Sequence, residues 1–385
     1  MAYRLNSPSG RPAGEIDLPA ALQAHGVSRR DFLKFCGTMA AVLALPASAT
    51  GKIAKALQDV RRPPAIYYEF QDCAGCTEAL LRAPHPTITQ IVLDLFSLNY
   101  HETIMAAAGT AAQAAADDTI AAGNYVLMVE GSIPRDRGGL YCTVGGRTAI
   151  DLVQEAAAAA PFAIAVGNCA SFGNIPAAYP NPTGAVGLSE VVNGLPIVNM
   201  AGCPVNAVNL AALFTHYLTF GSLPDLDGHL RPTFAYGERI HDHCPRRPHF
   251  DAGQFVREWG DLGHRLGWCL YRMGCKGPQT YHNCPTVEYN EGTSWPIKSG
   301  HPCIGCSEPH FWDTMTPFYR RLPEVAVSGT SIESSVDTLG LVLTGVTAAG
   351  IAIHAVGSMV RKRETGIAED ATEDEGTTEP PPGED

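Results

Sequence analysis

The sequence predicts an α/β protein with three parts: a parallel sheet domain, a loop-rich domain with many cysteines, and a C-terminal transmembrane helix. Three observations support this prediction. Short apolar runs alternate with alanine-rich stretches from about residue 64 to 204, cysteines crowd the stretch that follows, and residues 338–359 carry no charged side chain. Strands that alternate with helices are typical of a parallel sheet with helices on both faces.

The sheet is predicted from five apolar runs: AIYYEF, TITQIVLDLF, NYVLMVEG, PFAIAVGN and LPIVNMAG. These runs are almost continuously apolar, as expected for strands that are buried on both faces. Helices are expected between and after them, around residues 78–82, 102–122, 149–159 and 205–220.

Composition limits the classes of function. A chain of 385 residues has room for about two domains. Its net charge of −12 argues against nucleic acid as a partner, because phosphate binding needs a basic surface. The chain has 12 cysteines, six of them from Cys244 to Cys306. Such density indicates either a disulfide framework or bound metal.

The N-terminus resembles an export signal. Arg29 and Arg30, in SRRDFLKF, precede the short apolar run CGTMAAVLALPASA, which is typical of a twin-arginine signal peptide. Cleavage after Ala56 fits the preference for small residues, so residues 1–56 are predicted to be leader and signal. A chance arginine pair before a core helix is the alternative. Because the twin-arginine route carries folded proteins, cysteines behind this signal favour metal clusters over disulfides.

Four cysteines follow the ends of predicted strands: Cys73, Cys76, Cys169 and Cys203. In an open α/β sheet, ligands bind beyond the carboxyl ends of the strands. Four thiolates that meet there would suit a cubane iron–sulfur cluster. Glu130 ends the third predicted strand and is expected to point to the same region.

A second group of metal-ligand residues lies in the loop-rich stretch: His241, Cys244, Cys269, Cys275, Cys284, Cys303 and Cys306. This stretch has little hydrophobic periodicity, so we expect a metal centre to stabilise it. Zinc would use two close pairs of ligands and would leave three cysteines unexplained. A ferredoxin-type cysteine run is absent. Spacing favours iron–sulfur clusters and leaves zinc and disulfides open.

Seven motifs, in order, carry a more specific resemblance: CAGC, GNCASFG, AGCP, RIHDHCPRRPHFDAGQF, LYRMGCKGP, NCPT and GHPCIGCSEP. Together they resemble the small subunit of a membrane-bound, uptake-type [NiFe] hydrogenase, from about residue 57 to 320. The resemblance implies a flavodoxin-like domain over residues 57–224 and an iron–sulfur domain over residues 225–325.

The resemblance also implies the ligands of three clusters. Cys73, Cys76, Cys169 and Cys203 match a proximal [4Fe–4S] cluster. His241, Cys244, Cys269 and Cys275 match a distal [4Fe–4S] cluster. Cys284, Cys303 and Cys306 match a medial cluster, which is expected to be [3Fe–4S] because Pro296 stands where some relatives have a fourth cysteine.

Oxygen-tolerant relatives carry two extra cysteines near the proximal cluster. This chain has Gly75 and Asn174 at those positions, so an ordinary four-thiolate cluster is expected. Cys142 matches no ligand position and is expected to be a buried free thiol that behaves as a small hydrophobic residue.

The uncharged stretch 338–359 is long enough to cross the ~30 Å hydrocarbon core. A buried core helix is the alternative. Arg361, Lys362 and Arg363 follow it, so the positive-inside rule predicts a cytoplasmic tail and a periplasmic body at the inner membrane. Residues 360–385 are acidic at the end and are expected to be disordered.

His354 interrupts the apolar stretch. A histidine within a membrane needs a partner, which is either a neighbouring helix or the haem b of a membrane cytochrome. The resemblance implies that a partner large subunit holds the Ni–Fe centre, and that electrons from H₂ pass through the clusters to a cytochrome b and the quinone pool. It also implies export by the twin-arginine machinery. Glu130 is expected either to position the proximal region, to pass protons at the large-subunit interface, or to be purely structural.

Two other classes remain open at this point. One is the iron–sulfur subunit of another exported redox enzyme, such as a formate dehydrogenase. The other is a membrane-anchored protein with zinc or disulfides and no redox function.

Overall fold

The structure is a computed structural model that describes residues 28–58, 63–82, 96–290, 292–321, 325–326, 333–334 and 336–373. These residues belong to two compact units, one ending at Leu322 and one beginning at Pro323. The predicted boundary near residue 224 lies inside the first unit. The predicted division into domains stays a prediction.

The strands of the first unit are β1 (Pro64–Glu69), β2 (Ser97–His101), β3 (Val126–Glu130), β4 (Ile133–Pro134), β5 (Thr143–Val144), β6 (Arg147–Thr148), β7 (Ala163–Val166), β8 (Ala185–Val186) and β9 (Ile197–Met200). Five of them form a parallel sheet in the order β2-β1-β3-β7-β9. With the short strands left out, this is the order 2-1-3-4-5 of flavodoxin-like folds. The prediction of a parallel sheet is confirmed.

Four of the five predicted runs coincide with β1, β3, β7 and β9. The remaining run, residues 87–96, lies outside the described residues except for Phe96. The strand observed nearby, β2, begins one residue later and was not predicted. Its sequence SLNYH is less apolar than the other runs, because β2 lies at the edge of the sheet.

Among the described residues, seven helices accompany the sheet: α1 (Arg29–Val42), α2 (Ala49–Gln58), α3 (Gly75–Leu81), α4 (Thr110–Ala122), α5 (Ala149–Ala159), α6 (Gly167–Phe172) and α7 (Ala207–Phe220). The Asn206 side chain caps α7 by accepting hydrogen bonds from two backbone N–H groups in its first turn. The prediction for α4 was too long at its start. Gly109, with φ of 58°, precedes its first turn, and residues 102–109 form no helix.

The core has two parts, one on each face of the sheet. Successive residues of β3 alternate between them, with Val126 and Met128 on one face and Leu127 and Val129 on the other. Side chains of α7 pack on the first face, and those of α5 pack on the second. Coverage of both faces explains why the strands are continuously apolar.

The predicted signal segment is helical. Helices α1 and α2 bury Phe32, Phe35, Cys36 and Met39 in the same core as α7. Arg29 and Arg30 stay exposed at the start of α1. Residues 1–27 lie outside the described residues. The helical packing does not test export, and the signal peptide stays a prediction.

After α7 the chain forms mainly loops and short helices. These helices are α8 (Thr233–Tyr236), α9 (Arg247–Asp251), α10 (Leu262–Arg265), α11 (Cys284–Val287) and α12 (Phe311–Thr314). This loop-rich region, residues 221–321, has a small core of its own. Cys275, Cys284 and Cys303 belong to that core, together with Ile240 and Trp295.

The described residues of the second unit form two short antiparallel strands and one long helix: β10 (Val325–Ala326), β11 (Glu333–Ser334) and α13 (Val336–Glu373). By length and composition, Val342–Arg361 could cross a membrane, and its side chains are not buried within the chain. The helix continues to Glu373, so the disorder predicted from residue 360 does not apply to 360–373. Alanine, glutamate, lysine and arginine in that stretch favour helix. Residues 374–385 lie outside the described residues.

Candidate metal centres

The first group of thiols lies at the carboxyl edge of the sheet. Cys73 lies between β1 and α3, and Cys76 lies in the first turn of α3. Cys169 lies in α6, after β7, and Cys203 follows β9. The Asn174 side-chain amide reaches two of them, 3.2 Å from Cys169 Sγ and 3.5 Å from Cys203 Sγ. Burial, with added repulsion from Cys203 and Cys73, raises the pKa of Cys169 to about 12. The structure therefore brings the four predicted residues together.

The backbone approaches these thiols closely. Val205 N–H donates to Cys76 Sγ at 3.4 Å. Gly167 has φ of 78°, and a Cβ atom at this position would lie 2.3 Å from Cys76 Sγ. Only glycine fits here, because both the backbone conformation and the space exclude a side chain.

Glu130 lies beneath α3, where the sequence placed it. Its carboxylate is buried and accepts hydrogen bonds from Tyr67 Oη at 2.7 Å and from the backbone N–H groups of Cys76 at 2.9 Å and Thr77 at 3.0 Å. These bonds satisfy free N–H groups in the first turn of α3. Glu130 therefore fixes the backbone of a cysteine in the first group.

Further acidic residues surround Glu130 and were not predicted. Burial raises the pKa of Asp72 to about 6 and that of Glu102 to about 8. Glu102 also accepts a hydrogen bond from Glu69 N–H at 2.8 Å. These carboxyl groups can hold or release a proton near neutral pH.

The second group, His241, Cys244, Cys269 and Cys275, lines a single cavity. Burial raises the pKa of Cys269 to about 12, and the neighbouring Cys275 and Cys244 add to this rise. Gly277 N–H donates to Cys275 Sγ at 3.4 Å. The half-buried guanidinium of Arg246 interacts with all three thiols and is held by Trp268 O at 2.8 Å.

The third group, Cys284, Cys303 and Cys306, lines a larger cavity together with Pro296. Gly305 N–H donates to Cys303 Sγ at 3.4 Å. His282 Nδ1 lies 3.0 Å from Cys284 Sγ. Burial, and then Arg231, lowers the pKa of His282 to about 3. Sequence reasoning missed His282, whose only signal is its position two residues before a predicted ligand.

The three groups lie in series. Cys203 of the first group lines the same cavity as Cys284, Cys303 and Cys306 of the third. The backbone carbonyl of Cys303 accepts a hydrogen bond at 2.8 Å from the N–H of Lys276, the residue after Cys275 of the second group. The third group therefore lies between the other two.

Two sequence families match the chain. The family of the C-terminal part of the NiFe/NiFeSe hydrogenase small subunit matches residues 236–319, and the family described as "NADH ubiquinone oxidoreductase, 20 Kd subunit" matches residues 73–217. The chain is 47% identical to the quinone-reactive Ni/Fe-hydrogenase small chain of Wolinella succinogenes, over 89% of this chain and 98% of that protein. It is 45% identical to the uptake hydrogenase small subunit of Azotobacter vinelandii, over 89% and 95%.

The chain belongs to the family of [NiFe] hydrogenase small subunits. Solved structures agree. A [NiFeSe] hydrogenase chain from Desulfomicrobium baculatum gives a TM-score of 0.63 at 34% identity, covering 68% of this chain and 100% of that one. An actinobacterial-type NiFe-hydrogenase chain from Ralstonia eutropha H16 gives 0.62 at 27% identity, covering 76% and 92%. Small subunits of this family pair with a large subunit that contains the catalytic site.

The donor atoms of this small subunit fit iron–sulfur clusters. All 12 cysteines are free thiols, and burial keeps most of those in the three groups protonated by raising their pKa values, to about 11 for Cys306. Bound iron would favour the thiolates, which the N–H donors already face. Sulfur ligands in loops with close backbone donors are what such clusters need.

The remaining predicted residues have simpler surroundings. Cys142 is partly buried and packs against the core on the α5 face, apart from the three thiol groups. A Cβ atom on Gly75 would lie 3.0 Å from Cys73 Sγ, and Asn174 contacts two thiols, so both positions adjoin the first group as expected. His354 lies on the exposed surface of α13.

Proposed function

We propose that this protein carries electrons from a Ni–Fe centre in its large subunit to a membrane cytochrome b and the quinone pool during oxidation of H₂. The relative from Wolinella succinogenes is named as quinone-reactive, which supports quinone as the final acceptor. The observation that carries the proposal is the series of three thiol groups. Cys203 of the first group shares the cavity of the third group, and Lys276, the residue after Cys275, donates its N–H to Cys303 O.

Each group would hold one cluster. Cys73, Cys76, Cys169 and Cys203 would hold the proximal [4Fe–4S] cluster, and His241, Cys244, Cys269 and Cys275 the distal one. Cys284, Cys303 and Cys306 would hold the medial cluster. Pro296 lines the same cavity as these three thiols and offers no fourth thiolate, which supports [3Fe–4S].

Clusters at these sites supply one-electron transfer when they are bound. The chain's own residues fix the sites and set their charge. Glu130 holds the N–H groups of Cys76 and Thr77, which favours a positioning role for this residue. Asn174 and Val205 donate to thiols of the proximal group and would stabilise their negative charge.

Neighbouring groups also lie close together, which keeps the route short. Cys203 lines the cavity of Cys284, Cys303 and Cys306, and a backbone hydrogen bond joins Cys303 to the residue after Cys275. The neutral His241 in the distal group makes that site less negative than a site with four thiolates, which favours the reduced state there.

We further propose that α13 anchors the protein in the inner membrane. A helix of 20 residues, Val342–Arg361, is about 30 Å long, which equals the hydrocarbon core. The basic residues that follow it favour a cytoplasmic tail and a periplasmic body. His354, inside the span, would contact the haem b of the cytochrome, and Arg29 and Arg30 would direct export by the twin-arginine machinery.

The test is iron and acid-labile sulfide analysis, with electron paramagnetic resonance (EPR), on the complex purified from membranes. Two four-iron clusters and one three-iron cluster require about 11 iron atoms per small subunit, besides those of the partners. We expect an oxidised three-iron signal that disappears under H₂. Zinc without labile sulfide would contradict electron transfer. Clusters that H₂ does not reduce in an active complex would contradict the proposed route.

A further inference from the structure

The surroundings of His282 point to a function for a residue that is neither a predicted ligand nor a catalytic group. Its side chain is 2% exposed and lines the cavity of the medial thiols. The ring lies edge-on to Tyr236 at 5.1 Å and stacks with Tyr289 at 6.3 Å between centroids. Its backbone N–H donates to Glu238 O at 3.1 Å. These contacts hold the ring in one orientation.

In that orientation one ring nitrogen faces sulfur. The distance of 3.0 Å from Nδ1 to Cys284 Sγ is the shortest nitrogen–sulfur contact among the hydrogen bonds of the described residues; the others are 3.2–3.5 Å. Nε2 is buried and has no hydrogen-bond partner among those residues. A thiolate only accepts hydrogen bonds, so the proton of the neutral ring belongs on Nδ1 when Cys284 is ionised.

The same distance argues against His282 as a fourth metal ligand beside Cys284. With metal–sulfur and metal–nitrogen bonds of about 2.3 and 2.0 Å, two tetrahedral ligands lie about 3.5 Å apart. The separation of 3.0 Å is shorter than in that arrangement and lies within hydrogen-bond reach, so the structure favours an N–H···S hydrogen bond.

We propose that His282 donates a hydrogen bond from Nδ1 to Cys284 Sγ and thereby raises the reduction potential of the medial cluster. The inference rests on the proposed function, because it requires a cluster on Cys284, Cys303 and Cys306. Reduction adds negative charge that is shared with the sulfur ligands, so a donor to one of them stabilises the reduced form more than the oxidised form. His282 thus favours electron transfer onto the medial site.

The test is an EPR-monitored redox titration of the intact hydrogenase complex with His282→Phe and His282→Gln. Phe fills the space between the two tyrosines without a donor, and Gln offers an amide N–H. We expect Phe to lower the reduced-to-oxidised ratio of the medial cluster about tenfold at a fixed potential, equivalent to 59 mV for one electron. Gln should restore part of the shift, and the proximal and distal potentials should stay at wild type.

A medial potential that does not change in His282→Phe overturns the inference and leaves the proposed function standing. Loss of medial iron in His282→Phe, while the control variant Cys142→Ser retains it, would make His282 a ligand and also overturn the inference. A wild-type complex without a medial iron–sulfur signal overturns the proposed function and the inference together.

If the variants do not assemble, a measurement on the wild-type complex still tests the proposed hydrogen bond. Pulsed EPR of the complex with ¹⁵N-histidine should show a weak nitrogen coupling to the medial cluster and an exchangeable proton that disappears in D₂O. Strong coupling, as for a bound ligand, or no coupling at all, would overturn the proposed hydrogen bond.

Discussion

Strand β3 of the sheet and the cysteines of the loop-rich region are both buried, but against different neighbours. All five residues of β3 are buried, and its apolar side chains pack into the two hydrophobic clusters on either side of the sheet. Cys275, Cys284 and Cys303 are buried as part of a small core that they themselves help to form. A buried thiol that serves as a metal ligand is small and contributes little apolar surface to the core.

This difference suggests two sources of stability. The sheet, residues 63–220, gains stability from burial of apolar surface on both faces. The loop-rich region, residues 221–321, has isolated bridges and short helices among its described residues. Burial raises the pKa values of its cysteines, so these thiols stay protonated unless a bound metal ionises them. In such a region the free energy of metal binding is also free energy of folding.

The largest expected effect comes from removing one of the proposed medial ligands. Cys303→Ser should abolish slow hydrogen exchange across residues 238–310, because the cluster proposed at the centre of that region would lose a ligand. Exchange of β3 and β7 should stay at wild type, since none of the three proposed medial ligands lies in their core. Hydrogen exchange with mass spectrometry on the purified complex measures both.

Cys142→Ser is the matched control, because Cys142 is partly buried but outside the three groups. It should leave exchange in both regions unchanged. Equal loss of protection in the sheet and the loop-rich region after Cys303→Ser would show that the two do not differ in the source of their stability.

The next effect concerns a buried charge inside the loop-rich region. Arg231 donates to Asp227 at 2.9 Å, to Glu308 at 3.1 Å and to Ser307 O at 2.9 Å. Arg231→Ala should cost about 3–5 kcal/mol, because it leaves the Glu308 carboxylate buried without its cation. Chemical denaturation of the complex, followed at the iron–sulfur absorbance, measures the loss.

Arg239→Ala is the control for Arg231, since Arg239 pairs with Asp242 at 3.0 Å on the surface. Its cost should stay below about 1 kcal/mol. A cost for Arg231→Ala no greater than that of Arg239→Ala would show that the buried pair stabilises the loop-rich region no more than a surface pair does.

A third prediction tests whether the sheet edge responds to pH. Burial raises the pKa of Glu102 to about 8 from 4.5. Its contribution to stability is therefore fully present below pH 4.5 and is lost as the pH rises through 8, because the unfolded chain gives up the proton first. Glu102→Gln should flatten the fall in melting temperature between pH 5 and pH 9.

Below pH 4.5 Glu102 is protonated in the folded and in the unfolded chain, so wild type and Glu102→Gln should have the same pH dependence there. This range serves as the internal control. Parallel profiles for the two proteins from pH 5 to 9 would contradict a buried, protonated Glu102.

The smallest expected effect is on the surface of the loop-rich region. Lys298 Nζ lies 2.7 Å from Glu288, and its side chain is 49% exposed. Lys298→Ala should change the free energy of unfolding by less than about 1 kcal/mol, and high salt should remove the difference. A larger, salt-independent loss would mean that ordinary surface contacts, and not the metal sites, stabilise this region.

Much of this protein was predictable because the signals are local. The runs of β1, β3, β7 and β9 are continuously apolar, and parallel strands must end at one edge of the sheet. Cysteines that directly follow three of those strands therefore had to meet there. Residues 149–159 were predicted as a helix and form α5 with those bounds, since alanine and Thr148 favour a capped helix.

Tertiary structure decided the features that depend on residues far apart in the chain. β2 is an edge strand of modest hydrophobicity, and only pairing with β1 defines it. Cys203 and Cys306, which line one cavity, are about a hundred positions apart in the chain, and the paired Arg231 and Glu308 are about eighty apart. His282 faces sulfur because Tyr236 and Tyr289 hold its ring, and spacing alone cannot specify such an orientation.

The sequence by itself thus determined which residues could hold metal and at which edge of the sheet four of them meet. Only the folded chain decided the order of the three groups, because contacts between distant loops create that order.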